Sequence, residues 1–182
     1  MYKKSQVWTI EFILSFLIFT AAIILSVKSI FSIYSDEGFL DLQKESEHIS
    51  QQLISEGFPL NWDNESVIKI GLLSNNKIDS DKLKNLYYLQ YSKAKYLFGI
   101  HGDFFIYFSN ASGIIPLFYI VDQNISLPEG CGYGNVNVVK TYDGKCNIDT
   151  NLLKYSNMLK ISRVTSFNSS LVELNILIWN NK

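Results

Sequence analysis

From Phe12 to Val27 the chain carries no charge. The apolar stretch continues to about Tyr34 if Lys28 lays its stem along a helix and lifts its ammonium to an interface. That makes roughly 20 apolar residues, enough to span a bilayer. After Gly38 the pattern changes. Phe39, Leu42, Ile49 and Leu53, with Ser46 in the same stripe, step by three and four like one face of an amphipathic helix. Gly57 as a C-terminal cap and Pro59 beyond it predict the end. With Gly38 tolerated inside, the predicted helix runs from about Val7 to Glu56, about 50 residues or about 75 Å.

Beyond Pro59 the period shortens. Val67 to Leu73 is rich in β-formers, and Asp81 to Leu97 reads as a helix with Leu83, Leu86, Tyr87 and Leu97 inward. Strands are expected at Asp103–Phe108, at Ile114–Val121 (an edge, given Pro116) and at Asn135–Tyr142. The chain closes with Asn157–Phe167 and Ser170–Trp179, split by Asn168, Ser169 and Ser170 as a hairpin would be. In the last strand Val172, Leu174, Ile176 and Ile178 alternate and are placed inward, whereas Leu171, Glu173 and Asn175 do not alternate cleanly. The fold class is α+β: a long N-terminal helix, then an antiparallel β-sheet head with an additional helix.

A chain of 182 residues holds one globular domain and an appendage. Apolar residues make up 47% and aromatic residues 14%, ample for a packed core and unlike a disordered chain. A formal net charge of −1 with mixed signs leaves no basic surface sized for nucleic acid. Charge does orient the apolar segment: Lys3 and Lys4 precede it, Asp36 and Glu37 follow, and the positive-inside bias puts the head outside the cytoplasm. A cleaved secretory signal would share the basic start, but "TAAIILSVKSIFS" offers only poor small-residue cleavage sites, and the run exceeds a usual signal core of about 7–15 residues.

Glu11 is the exception in the apolar segment. A carboxylate at the start of a membrane helix costs on the order of 2–3 kcal/mol near the bilayer centre, and less at its edge, where water is within reach. A cation on a neighbouring copy, such as a free α-amino group, would stabilise it. Basic residues, a small residue, Gln, then a Glu within a long apolar helix resemble the N-termini of type IV pilin-like proteins, closest to the archaeal ones with a class III signal peptide. The resemblance implies that a membrane peptidase removes a short leader and leaves the helix in the mature subunit, where the Glu helps subunits dock in a filament. It makes Lys3 and Lys4 the basic leader, Ser5 the residue before the cut, Gln6 the first mature residue and Glu11 the assembly acid. Ser5 stands where the family usually has Gly, and counting from Gln6 puts Glu11 at the sixth mature position instead of the fifth. A cut between Gln6 and Val7 is the alternative that restores the fifth. "GFPLNWDNESVIKIGLL" followed by "LYYLQYSKAKYLFGIHGDFFIYF" also resembles the segment after the spine in archaeal pilin-like proteins.

The domains expected are a cytoplasmic basic leader at 1–5, a transmembrane and filament-core helix at 6–34, an amphipathic extension at 35–56 and an extracytoplasmic α+β head at 57–182. Cys131 and Cys146, the only cysteines, suit a disulfide outside the cell; the other reading is two reduced core cysteines. Closing a loop of about 15 residues would contribute about 3 kcal/mol. A metal site is not expected, since neither a close cysteine pair nor a His partner accompanies them. Asn64, Asn110, Asn124 and Asn168 begin Asn-x-Ser/Thr sequons, all after the membrane segment, and some are expected to carry glycans.

No catalytic constellation emerges. His48 and His101 lie far apart, and His48 falls near the polar face of the amphipathic helix. Asp79 and Asp81 lack calcium-loop spacing, so capping the next helix is the simpler role. Gly130, Gly132 and Gly134 read as a flexible turn. The expectation is therefore a pilin-like subunit rather than an enzyme, without cofactor or metal, held in the cell membrane with its head outside and assembled into a surface filament for adhesion or motility. Its expected partners are the membrane, other pilin subunits, and, by resemblance, a prepilin peptidase and the pilus assembly machinery. The rival is a single-pass membrane-anchored surface or receptor-like domain that never polymerises.

Overall fold

A computed structural model describes residues 3–34, 37–117, 129–142, 145–167 and 169–181. The chain divides into two compact units, Met1–Leu40 and Asp41–Lys182.

The first unit is dominated by helix α1, Lys3–Tyr34. A second helix, α2, spans Glu37–Leu53, and Ser35 and Asp36 between them lie outside the described residues. From Asp41 onward α2 belongs to the second unit, where its stripe does what the pattern requires. Leu42, Ser46, Ile49 and Leu53 are fully buried in the main core, and the Ser46 hydroxyl donates to the Gln43 carbonyl at 2.8 Å. Burying each such Leu or Ile stabilises the unit by about 1.5–3 kcal/mol.

The helix stops at Leu53, short of the Glu56 expected from Gly57, because later backbone takes its terminal carbonyls. Leu72 N–H donates to Leu53 O and Leu73 N–H to Ser55 O, both at 2.9 Å. The Lys82 ammonium donates to Glu56 O and Leu73 O, both at 2.7 Å, and the residue is 6% exposed. Partners from distant residues thus satisfy the Leu53 carbonyl that the helix end leaves and the Ser55 and Glu56 carbonyls just beyond it.

Val67–Leu73 is not the expected strand. Val67, Ile70 and Leu72 are buried, but the backbone there bonds piecemeal to Phe58 and to the end of α2. Only a two-residue hairpin follows, β1 Leu73–Ser74 with β2 Lys77–Ile78. The helix expected over Asp81–Leu97 is two: α3 Ser80–Tyr88 and α4 Tyr91–Phe98. At the break, Leu89 turns extended (φ −69°, ψ 133°), is buried, and gives its carbonyl to the Tyr133 hydroxyl at 2.8 Å. Leu83 and Leu86 are buried as expected, with Tyr87 and Leu97 partly so.

The central sheet is antiparallel. Its strands are β3 Asp103–Asn110, β4 Gly113–Ile115, β5 Tyr133–Gly134, and the final pair β8 Tyr155–Phe167 and β9 Ser170–Asn181. The order is β4-β3-β9-β8, with β5 also on β3. The short edge strand β4 covers only the start of the expected Ile114–Val121 strand; Phe118–Val121 lie outside the described residues. Asn135–Tyr142 opens with a 3-10 turn, and only β6, Val139–Tyr142, is strand, paired with β7, Lys145–Ile148.

Both faces of the sheet are covered, so β3 reads as a continuous apolar run instead of an alternation. Phe104, Ile106 and Phe108, with Val172, Leu174, Ile176 and Ile178, join the main core with residues of α2, α3 and α4. Phe105, Tyr107, Leu177 and Trp179 form a second cluster on the other face with Cys131, Val138 and Val139. Gly132 and Gly134 are not a flexible turn but a close approach. A Cβ at Gly132 would lie 2.4 Å from Ile106 O, and one at Gly134 would lie 2.3 Å from Phe104 O with φ at +130°.

Candidate membrane helix and polar sites of the head

The one helix among the described residues that is long and apolar enough to cross a membrane is α1. Its candidate span is the 21 residues Ile10–Ile30, with none of the window buried. Phe12, Phe16 and Phe19 are each at least 60% exposed, and Leu14, Leu17, Ile18 and Leu25 more than half exposed. A helix apolar all round suits a membrane or the centre of a large assembly better than a protein surface. The two side-chain hydroxyls seen to bond in the span do so within the helix: Thr20 Oγ1 donates to Phe16 O at 2.7 Å and Ser26 Oγ to Ala22 O at 2.8 Å. They need nothing from lipid, the condition any group in hydrocarbon must meet.

Glu11 and Lys28 lie inside this span, each close to one end and each exposed. Lys3, Lys4, Ser5, Gln6 and Val7 belong to the first turns of α1 by their backbone, and their side chains lie outside the described ones.

In the second unit the densest polar cluster centres on Asp103, at the start of β3. Its Oδ1 accepts from the Tyr91 hydroxyl at 2.8 Å and from Lys95 Nζ at 3.2 Å. Its Oδ2 accepts from Asn181 Nδ2 at 2.8 Å and from Asn135 Nδ2 at 3.2 Å. Burial alone would raise the Asp103 pKa, but the hydrogen bonds from Asn181, Tyr91 and Lys95, with the charge of Lys95, outweigh it and hold the carboxyl below its ordinary value. Burial pushes the Tyr91 and Tyr133 phenols up, so neither ionises near neutral pH. One carboxylate thereby ties α4, β3, the segment before β6 and the end of β9 together. The sequence had marked Asp103 only as the start of a strand.

A second tie joins α2 to the sheet. The Arg163 guanidinium on β8 donates from Nη2 to both Glu47 oxygens at 2.7 Å and from Nε to Ser50 Oγ at 2.6 Å. Asn175, which broke the alternation of β9, is buried with a purpose: Ser162 Oγ donates to its Oδ1 at 2.7 Å, and its Nδ2 donates to Ser109 Oγ at 2.8 Å. Near them Ser109, Asn110, Ala111, Val164, Leu171 and Glu173 line a shallow groove of about 170 Å³.

Cys131 and Cys146 form a disulfide with Cα atoms 5.5 Å apart, fixing the β6–β7 hairpin against the second cluster. Of the sequon residues, Asn110 is exposed and its Oδ1 accepts from Ser112 N–H at 2.8 Å. Asn64 is half-buried, with a buried Oδ1, and its carbonyl accepts from Lys93 Nζ at 2.5 Å. Asn124 and Asn168 lie outside the described residues.

Asp79 caps α3 as expected, its Oδ1 accepting from Asp81 N–H at 2.9 Å and Lys82 N–H at 3.2 Å. His48 is exposed with its Nε2 2.7 Å from the Gln52 amide nitrogen, and exposed His101 pairs with Glu45 at 2.8 Å. Among the described residues no group of three His, Cys, Asp or Glu side chains gathers as a metal site. No known protein family, curated protein or solved structure matches this chain.

Proposed function

We propose that the chain is a type IV pilin-like subunit of the archaeal class III signal-peptide type, held in the membrane by α1 and assembled through it into a surface filament for adhesion or motility. The observation that carries this reading is an apolar helix, exposed on every side over Ile10–Ile30, that keeps a carboxylate, Glu11, one residue inside its N-terminal edge. A tether gains nothing from that carboxylate, whereas helices packed side by side gain a polar contact that fixes their register. The disulfide and the covered sheet faces of the α+β head suit a domain that stands in the medium. Its aromatic richness leans toward a minor subunit. On this reading a prepilin peptidase and the pilus assembly machinery act on the chain, and the sequons make it a candidate glycoprotein.

The test is mass spectrometry of the N-terminus of the chain recovered from its native membrane or surface fraction. A start at Gln6 or Val7 is expected. A chain retaining Lys3 and Lys4 would make it an anchored surface domain that does not polymerise, and a start beyond Ser26 an ordinary secreted protein. Alongside it, Glu11→Gln should lower assembled material by about tenfold or more, the loss of about 1.4 kcal/mol per contact, while membrane retention stays unchanged. Unchanged assembly would sink the role given to Glu11.

A further inference from the structure

The Ile10–Ile30 window holds two charges of opposite sign, Glu11 and Lys28, each exposed, and among the described residues neither meets a partner within its own copy. They cannot meet each other there. Their 17-residue separation is about 25 Å along the axis and leaves them about 100° apart around it. In a hydrocarbon setting each is costly alone and each supplies what the other lacks.

Resting on the pilin-like reading above, we propose that the partner of Glu11 is Lys28 of the next copy, in parallel helices displaced along their axes by about 25 Å. Copies inserted in one membrane run parallel. Without displacement their like charges would stand side by side, Glu11 by Glu11 and Lys28 by Lys28. Displacement by the Glu11–Lys28 distance replaces repulsion with attraction. The distance also has a physical meaning, because it is close to the hydrocarbon thickness of about 30 Å. A copy drawn outward by that amount brings its Glu11 to the outer edge of the bilayer, where Lys28 of a copy still embedded is waiting. The pair forms as one helix leaves and holds the next to it. The azimuth decides how this contact propagates. Since Glu11 and Lys28 lie on different faces, each contact uses one face of one copy and a different face of its neighbour. Such a heterologous contact leaves both free faces available and grows openly when its rotation does not close.

The test uses the full chain in its native cell, with the ratio of sheared filament material to membrane-embedded chain as the readout. Lys28→Gln, Lys28→Glu and Glu11→Lys should each lower that ratio by about tenfold or more, and the double exchange Glu11→Lys with Lys28→Glu should restore it to within about threefold. The mature N-terminus is checked in every variant, because Glu11 lies near the processing site and Lys28 does not. If Glu11→Lys blocks processing, Lys28→Gln alone decides. The pairing is overturned if the Lys28 variants leave the ratio unchanged, in which case a Glu11 effect points to another cation such as the α-amino group and the pilin-like reading stands. Failure of the double exchange to restore assembly, with processing intact, overturns it too. Absence of filaments from the unchanged chain would instead overturn the pilin-like reading itself.

Discussion

Asp103 shows how a single carboxylate can hold a fold together. Four donors converge on it from residues 8, 12, 32 and 78 positions away, which is why no local pattern revealed it: each is an ordinary polar residue in its own neighbourhood. Its folded pKa is depressed, so the ionised form contributes stability above the unfolded value of about 3.9, and that contribution disappears as the pH falls through the folded value. Thermal unfolding of the detergent-solubilised chain should therefore move to lower temperature on acidification below about pH 4. Asp103→Asn should cost about 1.5–3 kcal/mol at neutral pH, the worth of hydrogen bonds to a charged group, and should flatten that acid limb. An acid limb of unchanged steepness in the variant would assign the pH dependence elsewhere. Asp63 and Asp149 are also held low. Asp63 accepts from the backbone N–H and the hydroxyl of Ser66, and Asp149 chiefly from Lys140. Asp63 is exposed and Asp149 ties only neighbouring segments, whereas Asp103 joins four, so Asp103 is the residue whose removal should be felt.

Among the elements, β9 was readable from the chain because sheet burial writes itself into residues two apart, and β3 because a short unbroken apolar run marks a strand covered on both faces. Val172, Leu174, Ile176 and Ile178 went inward as their spacing required. What the spacing hid was the second covered face, where Leu177 and Trp179 pack with the disulfide hairpin. The α2 stripe was equally legible, but its end was not, since carbonyl capture by Leu72, Leu73 and Lys82 is a long-range event. The same holds for the α3–α4 break, where a hydroxyl 44 residues away takes the Leu89 carbonyl. Val67, Ile70 and Leu72 imitated a strand because packing against the helix end also buries residues two and three apart. The disulfide spans 15 residues and should be worth about 3 kcal/mol by restricting the unfolded chain. Replacing Cys131 and Cys146 together by Ser should lower the midpoint in urea and steepen the slope, because the released unfolded chain exposes more surface. An unchanged midpoint would mean that the hairpin's packing, and not its covalent bond, holds the second face.

At the scale of the whole molecule, one chain holds an exposed apolar helix long enough to cross a membrane and a separately packed unit. Its N-terminal span has no protein around it in its own unit, and the second unit has a core of its own. The apolar run and its flanking charges made that division legible from composition alone, whereas the complementarity of Glu11 and Lys28 becomes visible only when both are placed on one helix and their axial and angular separation is counted. The second unit, for its part, carries a gauge of its own integrity. Lys82, 6% exposed, closes off the Glu56 and Leu73 carbonyls just beyond α2, and its ammonium stays engaged there until this region opens. Amine-acylating reagents should modify Lys44, whose side chain is 80% exposed, at once, and Lys82 only at the rate at which this region opens. If Lys82 is acylated as fast as Lys44, the seal is not closed. If it is spared, the mass of one tryptic peptide becomes a clock for breathing of the head, readable in intact cells without purification or an activity assay.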